Sequence, residues 1–187
     1  MTRALFENGR ARNAVTYEQY REDFEQKAQA ESAEELPEEK QKYFKYYRLN
    51  FERSKRVEEA YTPSDTLQNV VESIEGAQTW VVLTEPWCGD SAQILPILAR
   101  AAQENDQIMF RILYRDDNLD IMDAYRTDGK RGIPKLIVFD ADGRELFAWG
   151  PRPQKAQEIF DEGEAEGRER SDIYRDMQTW YNDDGGA

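Results

Sequence analysis

The chain has 187 residues, with 25 Lys plus Arg against 38 Asp plus Glu, and its formal charge of −13 opposes the counterion release through which proteins bind phosphate backbones. One cysteine and no histidine exclude an internal disulfide, a Cys/His zinc site and a serine–histidine triad together. No run approaches the roughly 20 apolar residues that span a bilayer, and residues 1–22 have no signal-peptide core, so a soluble, cytoplasmic chain around one core is expected.

The first 76 residues read as helical. Thr16 and Gln19 form a capping-box pattern ahead of Tyr17, Tyr20, Phe24 and Ala28, which predicts a helix over 17–30. Pro37 suits a helix N1 position, and apolar residues then continue through Tyr43, Tyr47, Phe51 and Val57 without a breaker, predicting one long second helix. Thr62-Pro63-Ser64-Asp65 reads as a cap, a proline at N1 and an acid in the first turn of a third helix that ends at Gly76. The aromatic stripe Tyr43, Phe44, Tyr46, Tyr47 and Phe51 has the spacing of a packing face.

From Thr79 short apolar runs alternate with helical patterns, which predicts an α/β sheet. Strands are expected at Trp80–Leu83, Ile108–Leu113, Lys135–Phe139 and Glu145–Trp149, with Asp142-Gly143 as a hairpin turn. Helices are expected over 89–104, kinked at Pro96, over 118–125 and over 154–160. The charged stretch 161–170, with Gly163 and Gly167, reads as a linker or a poorly packed helix. Ile173, Tyr174, Met177, Trp180 and Tyr181 then share one helical face that docks back on the body.

The only cysteine lies in Trp87-Cys88-Gly89-Asp90-Ser91, between a strand and a helix, and Arg131-Gly132-Ile133-Pro134 follows before the next buried strand. Together these segments resemble the thioredoxin family, whose Trp-Cys-Gly-Pro-Cys loop faces a cis Ile-Pro bond. The resemblance covers residues 78 to 162. It implies an α/β thioredoxin-like fold, a central mixed sheet flanked by helices, with an N-terminal helical extension at 1–76, the family domain at 77–162 and a linker plus docking helix at 163–187. It also implies that Cys88 meets Pro134 across the site, that Ile133 presents its backbone to an extended substrate, and that Gly150 leaves room for that segment.

Two departures change the expected chemistry. Ser91 stands where the family's resolving cysteine lies, and Val82 stands where thioredoxins carry a buried aspartate. Cys88 can attack a disulfide, but release must come from an external thiol, such as glutathione or another small thiol acting as co-substrate. Protein or small-molecule disulfides are the expected partners, with Cys88 and Ser91 at the reacting centre. Trp87, Asp90, Arg131, Ile133, Pro134 and Gly150 would form the substrate surface.

The position of Cys88 at a helix start favours its thiolate, Glu85 and Asp90 oppose it, and Arg131 would favour it again, so the sequence leaves the sign of the shift open. A monothiol glutaredoxin-like cluster binder is disfavoured by Asp90 and Trp87. A binding or chaperone-like module that keeps the fold without turnover is the alternative from another class. Asp140-Ala141-Asp142-Gly143 begins like a calcium loop, but Pro151 stands at the twelfth position in place of glutamate, which rejects that reading. The acid excess resembles that of salt-adapted proteins and equally fits an ordinary acidic one.

Overall fold

The computed structural model describes residues 13–186. The first 12 residues of the expected helical extension lie outside that range. Eight α-helices and four strands follow in order: α1 Tyr17–Gln29, α2 Glu38–Gln41, α3 Phe44–Ala60, α4 Asp65–Glu72, β1 Gln78–Thr84, α5 Gly89–Ala102, β2 Ile108–Tyr114, α6 Leu119–Ala124, β3 Lys135–Phe139, β4 Glu145–Trp149, α7 Gln154–Ala165 and α8 Arg170–Asp184.

The sheet order is β2-β1-β3-β4, with β1 parallel to β2 and antiparallel to β3, and β3 antiparallel to β4. Alternation along β1 divides the core. Trp80 and Val82 join one cluster with Tyr20, Phe24, Tyr47 and Phe51 from α1 and α3, whereas Val81 and Leu83 join another with Ile121 and Met122 of α6. Both faces of β1 are therefore covered, which explains its uninterrupted apolar run. The helices before β1 and the sheet share one apolar cluster, and the aromatic stripe packs inward except Tyr46, which is exposed.

Four helix boundaries differ from those expected, one of them the end of α4, which stops at Glu72 with Ser73 as its C-cap, short of the expected Gly76. The long second helix is broken: α2 ends at Gln41, Tyr43 has φ −99° and ψ 0°, and α3 starts at Phe44. That break turns Lys40 and Tyr43 toward the Trp87-Cys88 loop, contacts that outweigh local helical continuity. The cap of α4 is Ser64, whose hydroxyl accepts from Leu67 N, so Pro63 precedes the helix instead of opening it. The α7 helix runs through half of the expected linker, to Ala165, because Gly163 lets Ile173 of α8 pack against it: a Cβ there would sit 2.6 Å from Ile173 Cγ1. The capping box on α1 forms as expected, with Thr16 accepting from Gln19 N and Thr16 N donating to Gln19 Oε1.

Ile173, Met177 and Tyr181 of α8 are buried against Ile94, Ala156 and Phe160. The C-terminal helix is thus laid over α5, the helix that carries Cys88 at its start.

Candidate functional site

The site forms where β1 ends and α5 begins. Cys88 occupies the N-cap position of α5 with extended backbone, φ −82° and ψ 121°, and its amide donates to Glu85 O at 3.0 Å. Opposite it, the Ile133–Pro134 peptide is cis, and the Cys88 thiol donates to Ile133 O at 3.4 Å. Cys88 and Ile133 are both buried. Ile133 precedes β3, so its peptide groups lie outside the strand ladder.

Gly150 is required by this geometry. It has φ +115°, and a Cβ there would lie 2.2 Å from Pro134 O. The adjoining Lys135 ammonium is buried and donates to Gly150 O at 3.0 Å and Thr127 Oγ1 at 2.6 Å.

The thiol is held protonated. Burial first, and the Asp90 charge second, push Cys88 from its ordinary value of 9.0 up to about 11, against the Ser91 hydroxyl and the amides of Ser91 and Asp90. Ser91 Oγ is buried with no hydrogen-bond partner other than the neighbouring sulfur it can serve. Val82 is fully buried in the apolar core, and no acid takes the place of a buried aspartate there.

The acids and bases near the thiol have separate duties. Glu85, buried and raised by that burial, faces away from the sulfur: it accepts from Asp116 N at 2.8 Å and lies 3.4 Å from Lys40 Nζ, which also pairs with Asp116 at 2.7 Å. Asp90 turns toward the C-terminal half, where Arg152 Nε donates to it at 2.7 Å and Tyr181 OH at 3.1 Å. Arg131 is exposed and grips Asp123 through two bonds of 2.6 and 2.8 Å, so its charge is engaged away from the sulfur.

Trp87 is walled in. Tyr43 stacks on it at 4.4 Å with a 13° interplanar angle, and the Arg115 guanidinium lies 4.8 Å from its ring centroid. Asn50 of α3 donates to Trp87 O at 2.8 Å and Pro86 O at 3.4 Å. Trp87, Cys88, Asp90, Ser91, Ile133, Pro134 and Gly150 therefore form one locus, with Arg131 at its rim.

Sequence reading missed Lys40, Tyr43, Asn50, Arg152 and Tyr181 as builders of this locus. Asn50 carried one usable signal, a polar residue on an otherwise apolar helix face; the others look like ordinary surface or core residues.

Among the described residues no group of three or more His, Cys, Asp or Glu side chains is placed to hold a metal ion. Asp140, read as the first position of a calcium-like loop, accepts from the amides of Asp142 and Arg144 at 2.9 and 2.8 Å and shapes the β3–β4 turn. None of the helices is long and apolar enough to cross a membrane among the described residues.

The family model described as Thioredoxin matches residues 37–166. The chain belongs to the thioredoxin family. The match starts well before the strand–helix unit at 78, so this thioredoxin-family chain shares α2, α3 and α4 with its family, a broader likeness than the motifs alone imply. A protein of unknown function from Pseudomonas aeruginosa is similar over 74% of this chain and 86% of its own, with 19% identity and a TM-score of 0.52. A crystal structure of an HIV epitope-scaffold is similar over 58% of this chain and 68% of its own, with 22% identity and a TM-score of 0.50. These structures share the thioredoxin-like fold with the chain.

Proposed function

We propose that the protein is a monothiol thiol–disulfide exchange protein whose nucleophile is Cys88. The observation that carries this reading is the Cys88 Sγ–Ile133 O contact of 3.4 Å. An extended substrate that adds to the Ile133 backbone needs that same carbonyl as an acceptor. Docking therefore replaces the thiol as donor to Ile133 O and frees the sulfur beside the arriving disulfide.

The reaction balances in two steps. Cys88 loses its proton to solvent, its thiolate attacks one sulfur of the substrate disulfide, and the other leaves as a thiolate that takes up a proton. Ser91 cannot displace the bound half, so an external thiolate attacks the substrate sulfur of the mixed disulfide and Cys88 leaves as thiolate. The external thiol is oxidised into a new disulfide with the substrate sulfur, and Cys88 is the sulfur that is reduced.

With Cys88 at about 11, on the order of one part in ten thousand is thiolate at pH 7. Exchange by the free protein is thus slow, and substrate docking is what raises it. The same burial favours a second reading, a thioredoxin-fold binding module that uses the Ile133 edge without turnover.

Cys88→Ala separates the two. Under the exchange reading, covalent capture of a disulfide-containing peptide disappears with the sulfur. Under the binding reading the variant keeps full affinity for partner peptides, and wild type captures none covalently.

A further inference from the structure

Beside the thiol, Arg53 of α3 and Gln178 of α8 flank a cleft over the start of α5. A Cβ on Gly89 would lie 3.5 Å from Arg53 Nη1 and 3.5 Å from Gln178 Nε2, so the two side chains converge from opposite walls on the residue next to Cys88. Gly89, Arg53 and Gln178 are all partly exposed.

The cleft is cationic in a chain of net charge −13. Among the described residues, the only hydrogen bond of the Arg53 guanidinium goes to an amide, Asn50 Oδ1, at 3.0 Å. Arg56, one turn on, likewise bonds an amide, Asn182 Oδ1, at 3.2 Å. The carboxylate of Asp90, whose charge supports Arg53, is hydrogen-bonded to Arg152 and Tyr181 and not to Arg53. Burial and the Arg56 charge lower the Arg53 pKa, and the Asp90 charge offsets them only in part. Gln178 uses its carbonyl to accept from Gln93 at 2.9 Å, which leaves its amide N–H groups toward Gly89. Gln93 also lines a neighbouring cavity of about 500 Å³, together with Arg56, Tyr61, Trp180 and Asp184.

We propose that this cleft docks the recycling co-substrate, a small thiol that bears a carboxylate, with Arg53 and Gln178 holding the carboxylate beside Gly89. The inference rests on the exchange reading above and names the chemical class of the releasing thiol. Its thiolate attacks the substrate sulfur of the Cys88 mixed disulfide, forms the new disulfide, and expels Cys88 as a thiolate that takes a proton from solvent. Arg53 and Gln178 act as positioning residues and touch neither sulfur.

The test compares alkylation of Cys88 in the reduced, full-length protein by iodoacetate and iodoacetamide, each rate divided by that of a free small thiol. The expected anion-to-neutral ratio exceeds that of the free thiol despite the chain's overall charge. Arg53→Gln lowers it about two- to fivefold, the range of a partly exposed charge pair. Arg53→Lys retains it, and Lys55→Gln, which removes the same charge from an exposed position of α3, leaves it unchanged. Gln178→Glu, on the other wall, lowers it independently of any effect of the Arg53 variants on folding. A ratio at or below the free-thiol value, insensitive to Arg53 and Gln178, overturns the proposal while leaving exchange at Cys88 intact. Inertness of native Cys88 to both reagents overturns the exchange reading and this inference with it.

Discussion

Cys88 donates its thiol hydrogen to the carbonyl of Ile133 at 3.4 Å, so the thiol is held by the backbone atom that an added substrate strand would use under the proposed exchange. Burial and the Asp90 charge hold the proton in place, and under the proposed exchange the free protein is a slow reagent whose reactivity depends on what occupies Ile133.

The pH dependence follows from the raised thiol. Alkylation of native Cys88 should climb through neutral and mildly alkaline pH and inflect near pH 11, above the ordinary 9.0. Because the folded state holds the proton more tightly than the unfolded chain, this group's contribution to stability is full below about pH 9. It is lost as pH rises toward 11, on the order of 2 kcal/mol in all. Cys88→Ser should flatten that segment of a urea-melt series, whereas an inflection below 8 in alkylation would contradict the buried thiol.

Asp90→Asn should move stability and reactivity in opposite directions. It leaves the Arg152 guanidinium without its carboxylate, a loss of about 3 kcal/mol for a buried pair. It also removes the charge that opposes the Cys88 thiolate. Denaturant melts and alkylation rates on one sample would check both signs; slower alkylation would refute the electrostatic assignment.

Gly150→Ala places a methyl group 2.2 Å from Pro134 O at φ +115°. A loss of at least about 2 kcal/mol is expected. The variant's melting temperature is the readout, and a neutral result would mean that the Pro134–Gly150 approach is looser than described.

Ser91→Cys restores a second sulfur one helical turn from Cys88. A peptide captured as a mixed disulfide should then leave without added thiol, as the new cysteine attacks Cys88 and closes an intramolecular disulfide. Persistence of the adduct would show that position 91 cannot reach the sulfur.

The parts of this site that were legible in the sequence are those whose chemistry is local. Trp87 to Ser91 and Arg131 to Pro134 read as two halves of one locus because together they resemble the thioredoxin family's active-site loop and Ile-Pro motif; a strand-to-helix junction and an X-Pro bond only make each half visible by itself. Strands β3 and β4 were found to the residue because their apolar runs are bounded by Pro134, Asp142-Gly143 and Gly150. What stayed hidden depends on distant contacts. The break at Tyr43 has no Gly or Pro to announce it, since the contacts of Lys40 with Glu85 and of Tyr43 with Trp87 lie across the fold. Arg152 and Tyr181 lie 62 and 91 residues from Asp90 and converge on it only once α8 is laid over α5. Arg131, adjacent in sequence to the Gly132-Ile133-Pro134 turn, was read as a partner of the thiol, but Asp123 on α6 engages it.

The central claim is tested most directly by intact-mass measurement of the reduced native protein after exposure to an excess of a small disulfide, followed by a small thiol. The account predicts one adduct per chain, its mass that of half the disulfide, absent in Cys88→Ser and lost when the thiol is added. A native chain that gains no adduct while the unfolded chain gains one would contradict exchange at Cys88 and make the cysteine a core residue.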